Sequence, residues 1–348
     1  MKSKSRLVCP IANDSKGVFF SLVDYRNSYF TSDNPDKIVE FYNSFKDREE
    51  LIEWMKERPK GTANIYEVDG EKDIIVVIPT ADFNGKYAKE CRENIFKGLH
   101  IIFVESGGKE DFYFNIAHNI NIGIKKAMEY SPKWIVVSND DMYKIDDISL
   151  LISQLEKVDN KAIGTCFLRP QTIYYSTPDN VVKIRKTMKM AATLLGFLFP
   201  RKIRETLYLM NKFSVNFLTW SLRNRSVTRS NNKVLNKVVL YLYDFFFEET
   251  LEFTNIISFG IFSSNALKTL FNEDGYAFDP VFINWDEDSD LSIRLLKSDF
   301  RSAWVDFKIG YYLSSSLGLT HGKALRENAS RVYFSWKIEN QMYKELTQ

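Results

Sequence analysis

Three short runs constrain the fold of this chain more than any other feature: Asp73-Ile74-Ile75-Val76-Val77-Ile78-Pro79, His100-Ile101-Ile102-Phe103-Val104 and Trp134-Ile135-Val136-Val137-Ser138. None alternates apolar with polar residues, so each suits a strand buried on both faces. Between them lie two helix-like stretches, residues 86–97 and Phe112 to Tyr130. Strand–helix–strand–helix–strand predicts a parallel α/β sheet flanked by helices. In such a sheet, ligands bind beyond the carboxyl ends of the strands. Asn139-Asp140-Asp141 follows the third run directly, which places two carboxylates at a ligand-binding edge.

A second acidic knot lies far along the chain. In Trp285-Asp286-Glu287-Asp288-Ser289-Asp290-Leu291-Ser292-Ile293-Arg294, four carboxylates fall within five positions and run into an apolar, helix-like segment. Like charges this close raise one another's pKa unless a cation or an organised site holds them. The two knots together predict one metal-assisted site assembled from two parts of the chain. Each also has a plainer reading. Asp140 and Asp141, with Asp146 and Asp147 close behind, suit a turn or a helix cap, and acids at 286–290 suit the positive end of a helix dipole.

By pattern the chain divides into four segments. Residues 1–70 read as an α+β extension, with a strand at 17–23 and helical periodicity over 36–57 from Ile38, Phe41, Tyr42, Phe45, Leu51, Ile52 and Trp54. Pro59-Lys60-Gly61 stops that helix. Residues 71–170 hold the strand–helix alternation, and residues 171–250 form a basic, amphipathic, mainly helical insert. Residues 251–348 carry the second acidic knot, weaker strands near 302–305 and 309–313, and a terminal helix over 326–345. Across 181–243 thirteen Lys and Arg residues meet a single acid, Glu205, with Met, Leu, Phe and Trp interleaved; the overall charge of +2 hides this excess. It suits an anionic membrane surface, at about 1 kcal/mol per basic residue near the lipid. A solvated helical face or an RNA-binding surface would have a similar composition.

With 348 residues, 45% of them hydrophobic, the chain can bury a large core. Cys9, Cys91 and Cys166 are scattered, odd in number and without metal-ligand spacing, as thiols of a reducing compartment would be. No apolar run reaches the ~18 to 20 residues that span a bilayer, and Met1-Lys2-Ser3-Lys4-Ser5-Arg6 opens no signal-peptide pattern. The expected location is cytoplasmic, peripheral on the inner face of the cell membrane through residues 181–243.

Over residues 72–345 the chain resembles the GT-A-fold glycosyltransferases of the large family usually numbered two. Ile78-Pro79-Thr80 followed by Asn84 resembles the family's first strand and nucleotide-facing loop, and Asn121-Ile122-Gly123 its N-x-G step. Asn139-Asp140-Asp141 stands where the family has its DxD-type motif. Gly275-Tyr276-Ala277-Phe278-Asp279 resembles the G-x-F-D loop before the catalytic acid, and Glu287-Asp288-Ser289-Asp290-Leu291-Ser292-Ile293-Arg294 the E-D-x-D-L-S-x-R motif. The chain departs from the family at Glu105-Ser106-Gly107-Gly108, where an acidic-Gly-Ser order is usual, and residues 1–70 have no counterpart in the family core.

The resemblance implies a Rossmann-like mixed sheet in which 71–170 is the donor-binding half and 251–348 the acceptor and catalytic half. It implies an inverting transfer from a nucleotide-diphosphate sugar to a hydroxyl of a glycan or lipid-linked acceptor. Pro79, Thr80, Asn84, Glu105, Asn121, Asn139 and Asp140 would line the donor site. Asp141, Asp140 and His321 would hold Mn²⁺ or Mg²⁺, and Asp288 would be the general base. Glu287 and Asp290 would position the acceptor or backbone, and Arg294 would pair with a carboxylate or approach the phosphates. On the residues alone, His321 also reads as a surface or packed histidine and Glu105 as a turn cap. Nucleic acid is not an expected partner.

Two rivals accompany this reading. A sugar nucleotidyltransferase would want a Gly-rich basic loop after the first strand, where this chain has Thr80-Ala81-Asp82-Phe83-Asn84-Gly85. A non-catalytic nucleotide-sugar-binding or scaffold protein could keep the fold without turnover.

Overall fold

The computed structural model describes residues 25–29, 36–106, 111, 113–159, 161–165, 171–176, 212–213, 227–228, 250–254, 258–298, 300–312, 321–337 and 340. In chain order, α1 (Asp36–Asn43) and α2 (Arg48–Glu57) precede β1 (Asn64–Val68) and β2 (Glu71–Thr80). Next come α3 (Lys86–Glu90), which runs on into a π-helical turn at Cys91–Ile95, then β3 (Leu99–Glu105), α4 (Ile116–Met128) and β4 (Trp134–Ser138). After β5 (Met142–Lys144), α5 (Ile148–Leu155) and β6 (Ile163–Thr165) come β7 (Gln171–Ser176), β8 (Val227–Thr228) and β9 (Thr250–Thr254). The chain closes with β10 (Phe259–Ser263), α6 (Ser264–Asp274), α7 (Glu287–Lys297), β11 (Ser302–Trp304), β12 (Ile309–Tyr311) and α8 (His321–Lys337).

The main sheet is mixed, in the order β1-β3-β2-β4-β10. Its centre is parallel, as the three apolar runs require: β2 pairs with β3 through Val77↔Ile102 and with β4 through Val76↔Val136. Ile74 to Ile78 are all buried. Both edges are antiparallel, β1 on β3 and β10 on β4. α4 covers one face, setting Ala117, Ile120, Ile124 and Ala127 against Val77, Ile102, Val104 and Ile135. Gly123 makes that approach possible, since a Cβ there would collide with Val77 and Val104. The other face is covered by α3, its π turn and α5, through Ala88, Cys91, Ile95, Leu151 and Leu155.

Several expectations need correction. The helix expected over 36–57 is two helices, because Asp47 accepts the amide of Glu50 and starts α2 afresh. The helix expected at 86–97 becomes π-helical at Cys91, and the one expected from Phe112 starts after its N-cap Asn115, whose side chain accepts from the His118 amide. The terminal helix begins at His321 and reaches Lys337. Within 171–250 the described elements are strands, with β7 pairing antiparallel with both β8 and β9. The helical and membrane-facing expectations for 181–243 fall otherwise on residues outside those described, as does the strand at 17–23. Among the described residues, no helix is long and apolar enough to cross a membrane.

The 1–70 segment shares its packing with the rest of the chain. Phe41, Tyr42, Phe45, Leu51, Ile52 and Trp54 form one buried cluster with Phe282, Ile283 and Ile293 of the acidic region and Val332, Tyr333 and Phe334 of α8. Phe213 of the insert is buried there too, edge-on to Tyr42 at 5.7 Å. Trp54 is packed edge-on against Phe41 and Phe45. Replacing Trp54 with Ala should therefore cost about 3–5 kcal/mol, read as a lower urea midpoint. The loss should appear in a single transition of the whole chain; a separate early transition would show that the segment folds by itself.

Candidate functional site

The carboxyl edge of the parallel strands is where the sheet's connections change face, with α3 behind β2 and α4 in front. Such a reversal is the topological switch point at which open α/β sheets take their ligands, here between the ends of β2 and β4. The Thr80 hydroxyl at the end of β2 donates to Asp140 Oδ2 at 2.7 Å, and both residues are buried. Behind them the Cys91 thiol donates to the Asp140 carbonyl at 3.3 Å, brought there by the π turn. Burial pushes that thiol's pKa well up, and the charges of Asp140, Glu90 and Asp141 push it further. Asn139 at the end of β4 is half-buried, its amide held by the Ser258 carbonyl at 2.9 Å. Asp141 is also buried, and its carbonyl accepts the Tyr312 amide at 2.8 Å.

The loop after β2 is held from beside the edge. Glu105, ending β3, accepts the Phe83 amide at 2.7 Å and the Tyr66 hydroxyl at 3.5 Å. Tyr66 stacks on Phe83 at 4.5 Å, the Arg92 guanidinium lies 4.8 Å from the same ring, and Arg92 donates to the Phe83 carbonyl. Glu105 thus caps the loop. Pro79 is buried within β2, whereas Asn84 is exposed on the loop, its amide bonded to Asp82.

The second acidic knot is tied to α4 by two asparagines. Asn121 accepts the amides of Ala277 and Phe278 and donates to the Phe278 carbonyl. Asn115 donates to the carbonyls of Pro280 and Phe282. The N-terminus of α4 lies at the carboxyl edge of the sheet, because a helix crossing back from a parallel strand runs antiparallel to it. Asn121, expected at the donor, therefore positions the loop that leads into α7. Just before α7 the backbone passes through two left-handed residues, Trp285 at φ 94° and Asp286 at φ 78°. Side-chain-bearing residues held there cost of order 1–3 kcal/mol each and cluster at functional sites.

α7 then sorts its carboxylates. Glu287 and Asp288 are half-buried in the first turn, Asp288 Oδ1 accepting the Ser289 amide at 2.8 Å. Asp290 is fully buried, 2.9 Å from Arg294 Nε and 2.7 Å from Lys337 Nζ of α8. Arg294 also reaches Asp274 at 3.0 Å and the Ala277 carbonyl. Lys337 pairs in addition with Asp279 at 2.6 Å, which takes the Tyr333 hydroxyl at 2.9 Å. Burial works against the charged form of each group, but the partners prevail: the pKa of Asp279 falls, while those of Lys337 and Arg294 rise. Asp290 and Arg294 hold an internal network, so Asp288 and Glu287 are the acids left near solvent.

Compared with models of protein families, with curated proteins and with solved structures, the chain matches none. The site must be judged on its own groups. Asp140 and Asp141 are adjacent, buried and oxygen-donating, which fits a hard cation that takes its other ligands from phosphate and water. No third His, Cys, Asp or Glu completes a metal cage among the described residues, and the side chain of His321 lies outside them.

Sequence reasoning missed Lys337, Tyr333 and Asn115; only the N-cap type of Asn115 left a signal. It also missed Asn119 on α4, whose buried amide has no hydrogen-bond partner on either atom. Leaving such a group unpaired costs about 1–3 kcal/mol, so Asn119→Leu should raise the unfolding midpoint, and a lowered midpoint would show that the amide is satisfied. The Lys337 network has a definite pH signature. Asp279's pKa is depressed on folding, so its contribution is complete above about pH 4 and lost as pH falls through the folded value. Lys337's pKa is raised, so its contribution is complete below about pH 10.4 and lost only as pH rises through the folded value. Lys337→Met should cost about 3–5 kcal/mol at pH 7 by leaving the buried Asp279 without a cation and Asp290 with Arg294 alone. It should also flatten the acid limb of the stability profile, measured by urea unfolding across pH.

Proposed function

We propose that the protein is an inverting glycosyltransferase that moves a sugar from a nucleotide-diphosphate sugar to a hydroxyl of a glycan or lipid-linked acceptor. The observation that carries this reading is the buried Asp140–Asp141 pair at the carboxyl end of β4, with Thr80 at the end of β2 hydrogen-bonded to Asp140. It is supported by the family-like motif on α7, where Asp288 keeps partial exposure while Asp290 does not.

In this mechanism Asp140 and Asp141 would hold Mg²⁺ or Mn²⁺, which would supply charge neutralisation for a departing diphosphate. Thr80 fixes the Asp140 carboxylate through its hydroxyl. Asp288 accepts the proton of the acceptor hydroxyl as that oxygen bonds to the anomeric carbon and the bond to the diphosphate breaks. One displacement of this kind inverts the anomeric centre. Glu287, beside it in the first turn, orients the acceptor. Arg294 acts indirectly by holding Asp290 and the Ala277 carbonyl, and so the loop into α7. The acceptor is membrane-proximal in this reading because residues 181–243 lie between the two halves of the site in sequence.

Thermal stabilisation by UDP, GDP, dTDP and CDP, each with and without Mn²⁺, tests the donor site. A nucleotide at one hundred times its dissociation constant adds about 2.7 kcal/mol, and a metal-dependent shift with one of the four is expected. Asp288→Asn should then keep that shift and lose sugar transfer by at least about a hundredfold. No shift with any nucleotide, or undiminished transfer by the variant, would overturn the proposal.

A further inference from the structure

A grouping of side chains beside the acid pair takes no part in the mechanism above. β5 follows Asp141 directly and pairs antiparallel with β12, Tyr143 standing opposite Gly310. The Tyr143 ring fills the space that a side chain at 310 would occupy, since a Cβ there would collide with it. Tyr143 packs on Tyr312 with ring centroids 5.1 Å apart at 50°, and Tyr312 on Tyr87, just inside α3, at 6.0 Å and 44°. Three separate elements thus bring three tyrosines together, and Tyr312 is still 46% exposed. The Tyr312 amide bonds to the Asp141 carbonyl. Two residues from Tyr143, Asp141 lies on the same side of the pleat.

We infer that Tyr87, Tyr143 and Tyr312 form a stacking platform for a neutral sugar ring, and that in the reaction proposed above this is a ring of the acceptor. Aromatic faces carry negative potential and attract the weakly positive C–H edges of a sugar. Rings tilted by 44° and 50° make facets that suit a puckered ring, whereas a flat nucleobase seeks one parallel face. The rings themselves carry no charge, which suits a neutral ligand over an ionic one. The hydroxyls of Tyr143 and Tyr312 bond to no described residue and so are open to the same ligand. Assignment to the acceptor rests on the glycosyltransferase reading; binding of the sugar does not.

The test is saturation-transfer NMR on the full chain with methyl glycosides of glucose, galactose, mannose, rhamnose and N-acetylglucosamine. Transfer to ring protons of at least one glycoside is expected. Loss of one stacking partner should weaken that binding about tenfold in Tyr312→Ala and in Tyr143→Ala. Tyr312→Leu, which keeps apolar bulk for folding, should lose it as well. Tyr311→Ala, on the opposite side of the ribbon across from Met142, should not. Silence from all five glycosides, full binding by Tyr312→Leu, displacement by uridine or guanosine, or equal loss in Tyr311→Ala each overturns the platform. The nucleotide shift is read separately: sugar binding without it sinks the enzyme reading alone, and the shift without sugar binding sinks the platform alone.

Discussion

The attachment of the acidic loop to α4 is the constraint on which the rest of the site depends. Residues 277–282 run through the interior, where every backbone amide and carbonyl needs a partner. Among the described residues no strand offers one there. Asn115 and Asn121 supply five of those bonds from one helix. α4 is in turn pressed onto β2 and β3 at Gly123. The chain therefore transmits the position of the parallel sheet to the start of α7 through two amide side chains. A shift of α4 along the sheet would carry the second acidic knot with it.

Burial, more than sequence spacing, decides what each carboxylate does. Asp286, Glu287, Asp288 and Asp290 lie within one short stretch, yet Asp286 and Asp290 are fully buried, and Asp290 is held between Arg294 and Lys337. A buried ion pair adds little net stability, but stranding either partner is costly. The network joins α7 to α8 through Lys337, which pairs with both Asp290 and Asp279. With Asp290 spent in this way, the negative charge at the open end of the α7 dipole resides on Glu287 and Asp288.

The parts of the fold legible in the sequence are those where one residue pattern admits one environment. Ile74 to Ile78 could only be a strand covered on both faces, and the position of Asp140 at its sheet's carboxyl edge followed from the Trp134–Val137 run. β1 gave no such signal, because Asn64 to Glu67 are all exposed at a sheet edge. The break between α1 and α2 was legible in principle: Asp47 and Glu50 have capping-box spacing, and Glu50 also reaches back to the Lys46 amide at 2.7 Å. The pairing of Lys337 with Asp279 was not, since 58 residues separate them and only the packing of α8 brings them together. Asp290 and Arg294, spaced i and i+4, were readable as a pair, but nothing local could say that the pair faces the interior.

The N-terminal segment enters the electrostatics of this region as well as its packing. Arg58 is buried and donates to Asn27 and to the carbonyls of Tyr113 and Phe114, just ahead of α4. Two residues on, Lys60 has its pKa lowered to about 8 by burial and then by Arg58, with Asp279 partly opposing. Its charge also helps burial lower the pKa of His118 in the first turn of α4. Two cations from outside the sheet thus stand near the loop that carries Asp279 and leads to the acids of α7. Asp279 in turn favours the charged form of Lys60, and the aromatic cluster of α1 and α2 packs against Phe282 and Ile283 of the same loop. A segment without counterpart in the resembled family core is, in this chain, part of what holds the acidic loop in place.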